Sequence, residues 1–182
     1  MLESLLVRHG APTLAGLKTG ALFPAVFSSR QEMMSSLLYW NRRLRPKGLC
    51  LLPLQEQRGR TLIYLYRLSA LTRDLQQPDT GILLMERGYP CPHPERCILF
   101  LRRRLTAAEP FPHEIGLFLG YPPEDVRGFL RDPAACSCSG FWKVYGNPES
   151  ARILFARFRA CRRIYEQSLA HGISPEHLAV SG

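Results

Sequence analysis

The chain has 182 residues, 46% of them hydrophobic, and a formal net charge of +9. That is enough apolar material to bury a core without disulfide staples, so one domain is the default expectation. The longest apolar runs, Leu62 to Tyr66 and Ile98 to Leu101, fall far short of the roughly 20 residues that span a bilayer, which excludes a transmembrane helix.

The start of the chain puts an acid, Glu3, where a secretory signal wants a base, and its apolar run is too short for a signal core, so a cytoplasmic protein is expected. In that compartment the six cysteines, Cys50, Cys91, Cys97, Cys136, Cys138 and Cys161, read as reduced thiols or ligands rather than a disulfide framework. The charge is almost wholly arginine, since Lys18, Lys47 and Lys143 are the only lysines. It favours an acidic partner: nucleic acid, phosphate groups or acidic proteins.

In chain order, Leu2, Leu5 and Leu6 form a short helical stripe that Gly10-Ala11-Pro12 is expected to stop. The glycine-punctuated stretches Thr13 to Lys18 and Ala21 to Phe23 read as an irregular or bulged strand. Ser28 or Ser29 can cap a helix from Arg30, with Glu32 in its first turn and Met33, Leu37, Leu38, Trp40 and Leu44 facing inward; Pro46 and Gly48 end it. Leu49 to Gln55 and Thr61 to Tyr66 then read as a β-hairpin around the polar turn Glu56 to Arg60. Helical spacing recurs over 68–77, 79–87 and 95–106, interrupted by Pro78 and by Pro90, Pro92 and Pro94.

Phe111 to Gly120 fits a short helix, although its apolar run also permits a strand, and a further helix opens at Pro123 with Glu124 and Asp125 in its first turn and Val126, Phe129 and Leu130 inward. Phe141 to Tyr145 alternates like a half-buried strand. Pro148 and Glu149 start the longest helix, with Leu154, Phe158, Cys161 and Tyr165 on one face and Arg152, Arg159 and Arg163 on another. One more helical turn is expected after Gly172. Hairpin strands and helical runs are segregated rather than alternating, which points to an α+β fold, a small, mainly antiparallel sheet covered by helices in a single domain, with parallel βαβ winding as the alternative.

Four groups of residues could carry chemistry. Cys91, His93 and Cys97 in one loop and Cys136 and Cys138 in another could together offer tetrahedral ligands to zinc or iron, although neither Cys-x5-Cys nor Cys-x-Cys is a specific metal spacing. Cys138, in basic surroundings beside Lys143, could be a reactive thiol, provided a base such as His9, His93 or His113 lies within reach. His113 and Glu114 are acid–base residue types, yet neighbours on a helix point about 100° apart, so capping or ion pairing suits them better. Arg102, Arg103 and Arg104, with Arg152, Arg159 and Arg163, offer a basic surface for nucleic acid, tempered by Glu149 and Glu166 at ion-pairing distance along the helix. No glycine-rich phosphate loop, His-Glu-x-x-His or Gly-x-Ser-x-Gly occurs, which disfavours nucleotide-dependent chemistry and the zinc-protease and serine-hydrolase classes.

The segments His9 to Lys18, Phe111 to Val126 (FPHEIGLFLGYPPEDV) and Trp142 to Gly146 (WKVYG) resemble those of domain-of-unknown-function family 3793, found mainly in anaerobic Firmicutes. The resemblance covers nearly the whole length, including the helix from Arg30, the hairpin and the stretch Ala151 to Tyr165. It implies no transferable activity or cofactor. It does imply that a thiol at position 10 is inessential here, since relatives often read His-Cys where this chain has His9-Gly10. The resemblance makes His9, Lys18, His113, Cys138, Lys143 and Tyr145 the first place to look for a shared pocket. The expected function is a cytoplasmic binding or accessory protein, linked to redox or metal physiology through its cysteines. The alternatives are a thiol-dependent enzyme centred on Cys138 and an RNA- or DNA-binding protein using the arginine faces.

Overall fold

The computed structural model describes residues 2–107 and 110–182. It is α+β, with a small antiparallel sheet and many helices, and it divides into two compact units: Met1–Ala70 with Ala160–Gly182, and Leu71–Arg159. Among the described residues no helix is long and apolar enough to cross a membrane.

In the first unit, strands β1 (Gly20–Ala25), β2 (Leu49–Gln57) and β3 (Arg60–Arg67) form a sheet in the order β1-β3-β2. Both pairings are antiparallel, Ala21 facing Leu65 and Leu51 facing Leu65 from the other side. Ile63 and Leu65 of the central strand enter a hydrophobic cluster with Leu6, Leu14, Phe23, Met33, Leu37, Trp40, Leu44 and Leu51, against which Tyr165 and Leu169 also pack. Tyr64 and Tyr66, which alternation sends to the opposite face, are also buried and stack on each other at 4.7 Å.

The first helix, α1 (Leu2–Leu14), runs through Gly10 and Pro12 rather than stopping at them. Its last turns are buried, and a Cβ at Gly10 would come within 2.5 Å of Leu65 Cδ2. Burial on the sheet therefore outweighs the weak local propensity of these residues. The actual stop is Gly16, at φ +73°, where the Leu17 amide bonds the Pro12 carbonyl at 2.8 Å and the Gly16 amide bonds Thr13 at 3.1 Å. This is a Schellman cap, which needs a residue tolerant of the left-handed conformation. The stretch Thr13 to Lys18 is thus a helix end and turn, not a strand; Ala21 to Phe23 does lie in β1.

Helix α2 (Arg30–Leu44) begins as its sequence suggests. Ser29 Oγ accepts from the Glu32 amide at 3.1 Å, and the Glu32 carboxylate reaches back to the Ser28 amide at 2.6 Å. Met33, Leu37, Trp40 and Leu44 are buried, but Leu38 is exposed because it shares the outer face with Met34, one turn earlier. The Asn41 amide group clamps the helix to edge strand β2, donating to the Leu51 carbonyl and accepting from the Leu51 amide, both at 2.9 Å. Outward-facing groups of an edge strand are thereby covered. The hairpin has a bulge between Pro53 and Gln55 and turns through Arg58 and Gly59, at φ 50° and 74°.

The second unit uses prolines as helix starts. Helices α3 (Leu68–Gln76), α4 (Pro78–Met85), α5 (Pro94–Thr106), α6 (Ile115–Phe118) and α7 (Pro123–Arg131) follow one another, α3 straddling the division between units. Pro78, Pro94 and Pro123 sit at first positions, where a missing N–H costs nothing. The strand expected over Phe141 to Tyr145 is paired only as β5 (Lys143–Val144) against β4 (Cys138–Ser139). Helix α8 (Pro148–Ala170) and the last turn α9 (Pro175–Leu178) complete the chain; Phe158, Cys161 and Tyr165 line the inner face of α8 and Arg152, Arg159 and Arg163 are exposed.

Arg67, at the end of the central strand, is buried and spends its guanidinium on main-chain carbonyls. It donates to Thr13 at 2.7 Å, Leu14 at 2.6 Å, Val180 at 2.8 Å and Lys47 at 3.3 Å. The first two are carbonyls of the α1 C-terminus, which also take the Gly16 and Val180 amides, and a cation there is favoured by the helix dipole. Replacing Arg67 with Met removes all four of these bonds, leaving Thr13 and Leu14 only the Gly16 and Val180 amides, and should cost about 3 kcal/mol in urea denaturation. An unchanged midpoint would mean that the fork contributes nothing net.

Candidate functional site

A cleft of about 270 Å³ opens where the tip of the β2–β3 hairpin meets the start of α2. Phe27, Ser29, Arg30 and Met33 line one side, and Glu56 to Thr61 line the other. The two walls meet through the Thr61 hydroxyl, 3.5 Å from Met33 Sδ. Three arginines, Arg30, Arg58 and Arg60, line it together with one carboxylate, Glu56, and all three are exposed. Among the described residues, the ion pairs join Arg43 to Glu176, Arg87 to Glu86, Arg104 to Glu114, Arg127 to Asp79 and Arg162 to Glu166; none uses a cleft arginine. The helix start is already capped by Ser29 and Glu32, so the positive field here comes from the side chains.

The hairpin holds Arg58 in an unusual backbone state. Positive φ at both central residues is the type I′ turn that matches strand twist, a position suited to Asn, Asp or Gly rather than arginine. Glu56 to Arg60 reads from sequence simply as a polar turn, and nothing local reveals that it lies beside the start of α2. An Arg-Gly pair where a turn favours Asn-Gly was the one available signal.

The six residues suspected of sharing a pocket fall in both units. In the first, His9 stacks on Phe23 at 5.5 Å, and burial, then Arg8 and Arg162, lower its pKa. Lys18, half-buried, donates its ammonium hydrogen to the Gly20 carbonyl, and burial pulls its pKa down to about 7. In the second, His113 and Lys143 meet the same ring: His113 packs on Phe129 at 4.8 Å, and Lys143 Nζ lies 5.7 Å from its centre while donating to the Pro133 carbonyl at 2.7 Å. Cys138 is half-buried opposite Val144, and among the described residues its thiol has no hydrogen-bond partner. Tyr145 lies across Gly128, where a Cβ would come 2.2 Å from the Tyr145 ring.

For metal, the thiols of Cys91 and Cys97 lie 3.5 Å apart, His93 is exposed at the start of α5, and Cys136 is half-buried like Cys138. Among the described residues no three His, Cys, Asp or Glu side chains group closely enough to hold an ion. Of the arginines considered for nucleic acid, Arg102, Arg103, Arg152, Arg159 and Arg163 are exposed. Arg104 instead turns to Glu114, a buried carboxylate that also accepts from Tyr89 at 2.8 Å. That pair is a structural use of Glu114; burial and then the Glu114 carboxylate raise the Tyr89 pKa, with Arg104 opposing them.

The two most distinctive strings meet each other. Tyr121 of FPHEIGLFLGYPPEDV stacks on Trp142 of WKVYG at 4.6 Å, and Asp125 of the first accepts from the Trp142 indole at 2.7 Å. The same carboxylate also takes the Tyr145 and Gly146 amides, at 2.7 and 2.8 Å. A family model described as a protein of unknown function, DUF3793, matches residues 6–179. The chain belongs to the DUF3793 family. No curated protein and no solved structure matches it. In this DUF3793 protein two of the three segments behind the resemblance, residues 111–126 and 142–146, therefore form one interlocked piece of structure, with a buried aspartate as its polar centre.

The role of Asp125 exceeds the helix-dipole contribution expected of it. Changing it to Ala leaves three donors without their acceptor and should cost about 3 kcal/mol, measured by denaturation followed by circular dichroism. Lys18 makes a pH prediction. Its folded pKa lies below its unfolded value, so above pH 7 the unfolded chain holds more protons and stability rises with pH until the unfolded pKa of about 10.4 is passed. Lys18→Met should flatten this rise relative to the parent in denaturant midpoints at pH 7, 8 and 9; parallel curves would contradict it.

Proposed function

We propose that this DUF3793 protein is a binding protein that takes an anionic, phosphate-bearing ligand between Arg30, Arg58 and Arg60. The observation that carries this reading is a cleft flanked by three exposed arginines outside the ion pairs among the described residues, with Phe27 in its wall. Guanidinium groups match phosphate oxygens in a two-pronged geometry, and an aromatic ring beside them offers a base something to stack on. The net charge of +9 draws such ligands in from a distance. A cytoplasmic location belongs to the same reading, supported by six cysteines that are all free thiols, the state a reducing compartment maintains.

Nucleic acid along the exposed helical arginines is the competing version, favoured by the exposure of Arg102, Arg103, Arg152, Arg159 and Arg163. Anisotropy of a labelled single-stranded oligonucleotide separates the two. Changing Arg30, Arg58 and Arg60 together to Gln should weaken binding at least tenfold at low salt, each single change reducing the salt slope by about one. Gln at Arg102, Arg152 and Arg159 should leave affinity within about twofold. The opposite ranking would move the site to the helices. Arg58→Asn adds a discriminating case: it relieves the turn, stabilising the fold by about 1 kcal/mol, while weakening binding.

A further inference from the structure

We propose that Cys91 and Cys97 form a thiol–disulfide exchange site, in which Cys91 attacks a low-molecular-weight disulfide and Cys97 resolves the adduct into an internal disulfide. The argument begins with position. Cys91 lies in the loop before α5 and Cys97 in the second turn of that helix, yet their sulfurs are 3.5 Å apart, in contact but unbonded. Local hydrogen bonds fix both partners: the Cys91 amide to Tyr89 at 2.9 Å, the His93 amide to Pro90 at 3.2 Å and the Cys97 amide to His93 at 2.9 Å. The two thiols therefore meet without a search, the condition under which an intramolecular step outruns a bimolecular one.

Their environments then divide the roles. Cys91 is half-buried and open to a small molecule, whereas Cys97 is fully buried. The hydrogen bond from the Cys97 thiol holds Cys91 below the ordinary thiol pKa, and that interaction, with burial, pushes Cys97 above it. The half-buried member is thus the better thiolate and the fully buried member the better-protected resolving thiol.

The step balances without a metal or cofactor. The Cys91 thiolate bonds to one sulfur of the small disulfide as its S–S bond breaks, releasing one thiolate. Cys97 gives up its proton, its sulfur bonds to Cys91, and the second small thiolate departs. The protein loses two electrons and two protons, and the small disulfide takes them up as two thiols. The reverse sequence, driven by excess thiol, restores the pair. No residue of the arginine cleft takes part, so either reading can fail alone.

The test treats the whole folded protein with oxidised glutathione, acid-quenches aliquots over time, unfolds each in urea with excess iodoacetamide at mildly alkaline pH to alkylate every remaining thiol, and maps tryptic peptides without reduction. Expected is a linked pair of peptides, Gly88 to Arg96 joined to Cys97 to Arg102, that dithiothreitol separates, with Cys50, Cys136, Cys138 and Cys161 still alkylated. Cys97→Ser should accumulate one glutathione on Cys91, and Cys91→Ser should leave Cys97 unmodified. Recovery of both wild-type peptides separately alkylated under oxidising glutathione would overturn the proposal, as would faster glutathione addition at Cys97 than at Cys91. The wild-type map decides the matter even if a variant fails to fold.

Discussion

The fold of the first unit hangs on a buried cation whose partners among the described residues are all main-chain carbonyls. Arg67 gathers the end of α1, the turn at Lys47 and the C-terminal tail onto the end of the central strand. Lysine could not substitute for it, because only a planar fork meets several fixed carbonyls at once. The tail is further tied by Lys47 to the Ala179 carbonyl at 2.6 Å and by the Val180 amide to Leu14 at 3.0 Å. At the other end of the same strand, Arg60 lines the cleft in the open. One residue type thus plays two parts along eight residues, the difference set by what faces it.

Much of this architecture is legible from local pattern. The hairpin follows from two β-rich runs around a polar turn, α2 from a serine cap with Glu32 three residues on, and α8 from a proline start and a long apolar face. What local pattern cannot weigh is burial. Gly10 and Pro12 look like a stop because each is a poor helix former, yet close packing on Leu65 carries the helix past them to Gly16. Leu38 looks like core because it is leucine, and the helical period places it outside.

The candidate sites divide in the same way. Glu114 and Asp125 are acidic residues of the kind that general acid–base chemistry uses, and each is buried and hydrogen-bonded, one to Arg104 and Tyr89, the other to Trp142 and two amides. A carboxylate buried this way orders a structure, because its loss would leave several donors unsatisfied. The arginine cleft was hidden for the converse reason: its residues lie far apart in sequence, and only the pairing of β2 with β3 and the Asn41 clamp bring them together. The Cys91 and Cys97 pair was visible as a spacing, but the contact between its sulfurs was not.

The central claim is that the arginine-lined cleft is where this protein meets its ligand. Amide chemical shifts of the isotope-labelled full chain, followed while a short single-stranded oligonucleotide is titrated in, test it most directly. The account predicts that the largest changes concentrate in residues 27–33 and 56–61 and saturate together. Saturable changes centred on the exposed helical arginines, with those two segments unmoved, would contradict it.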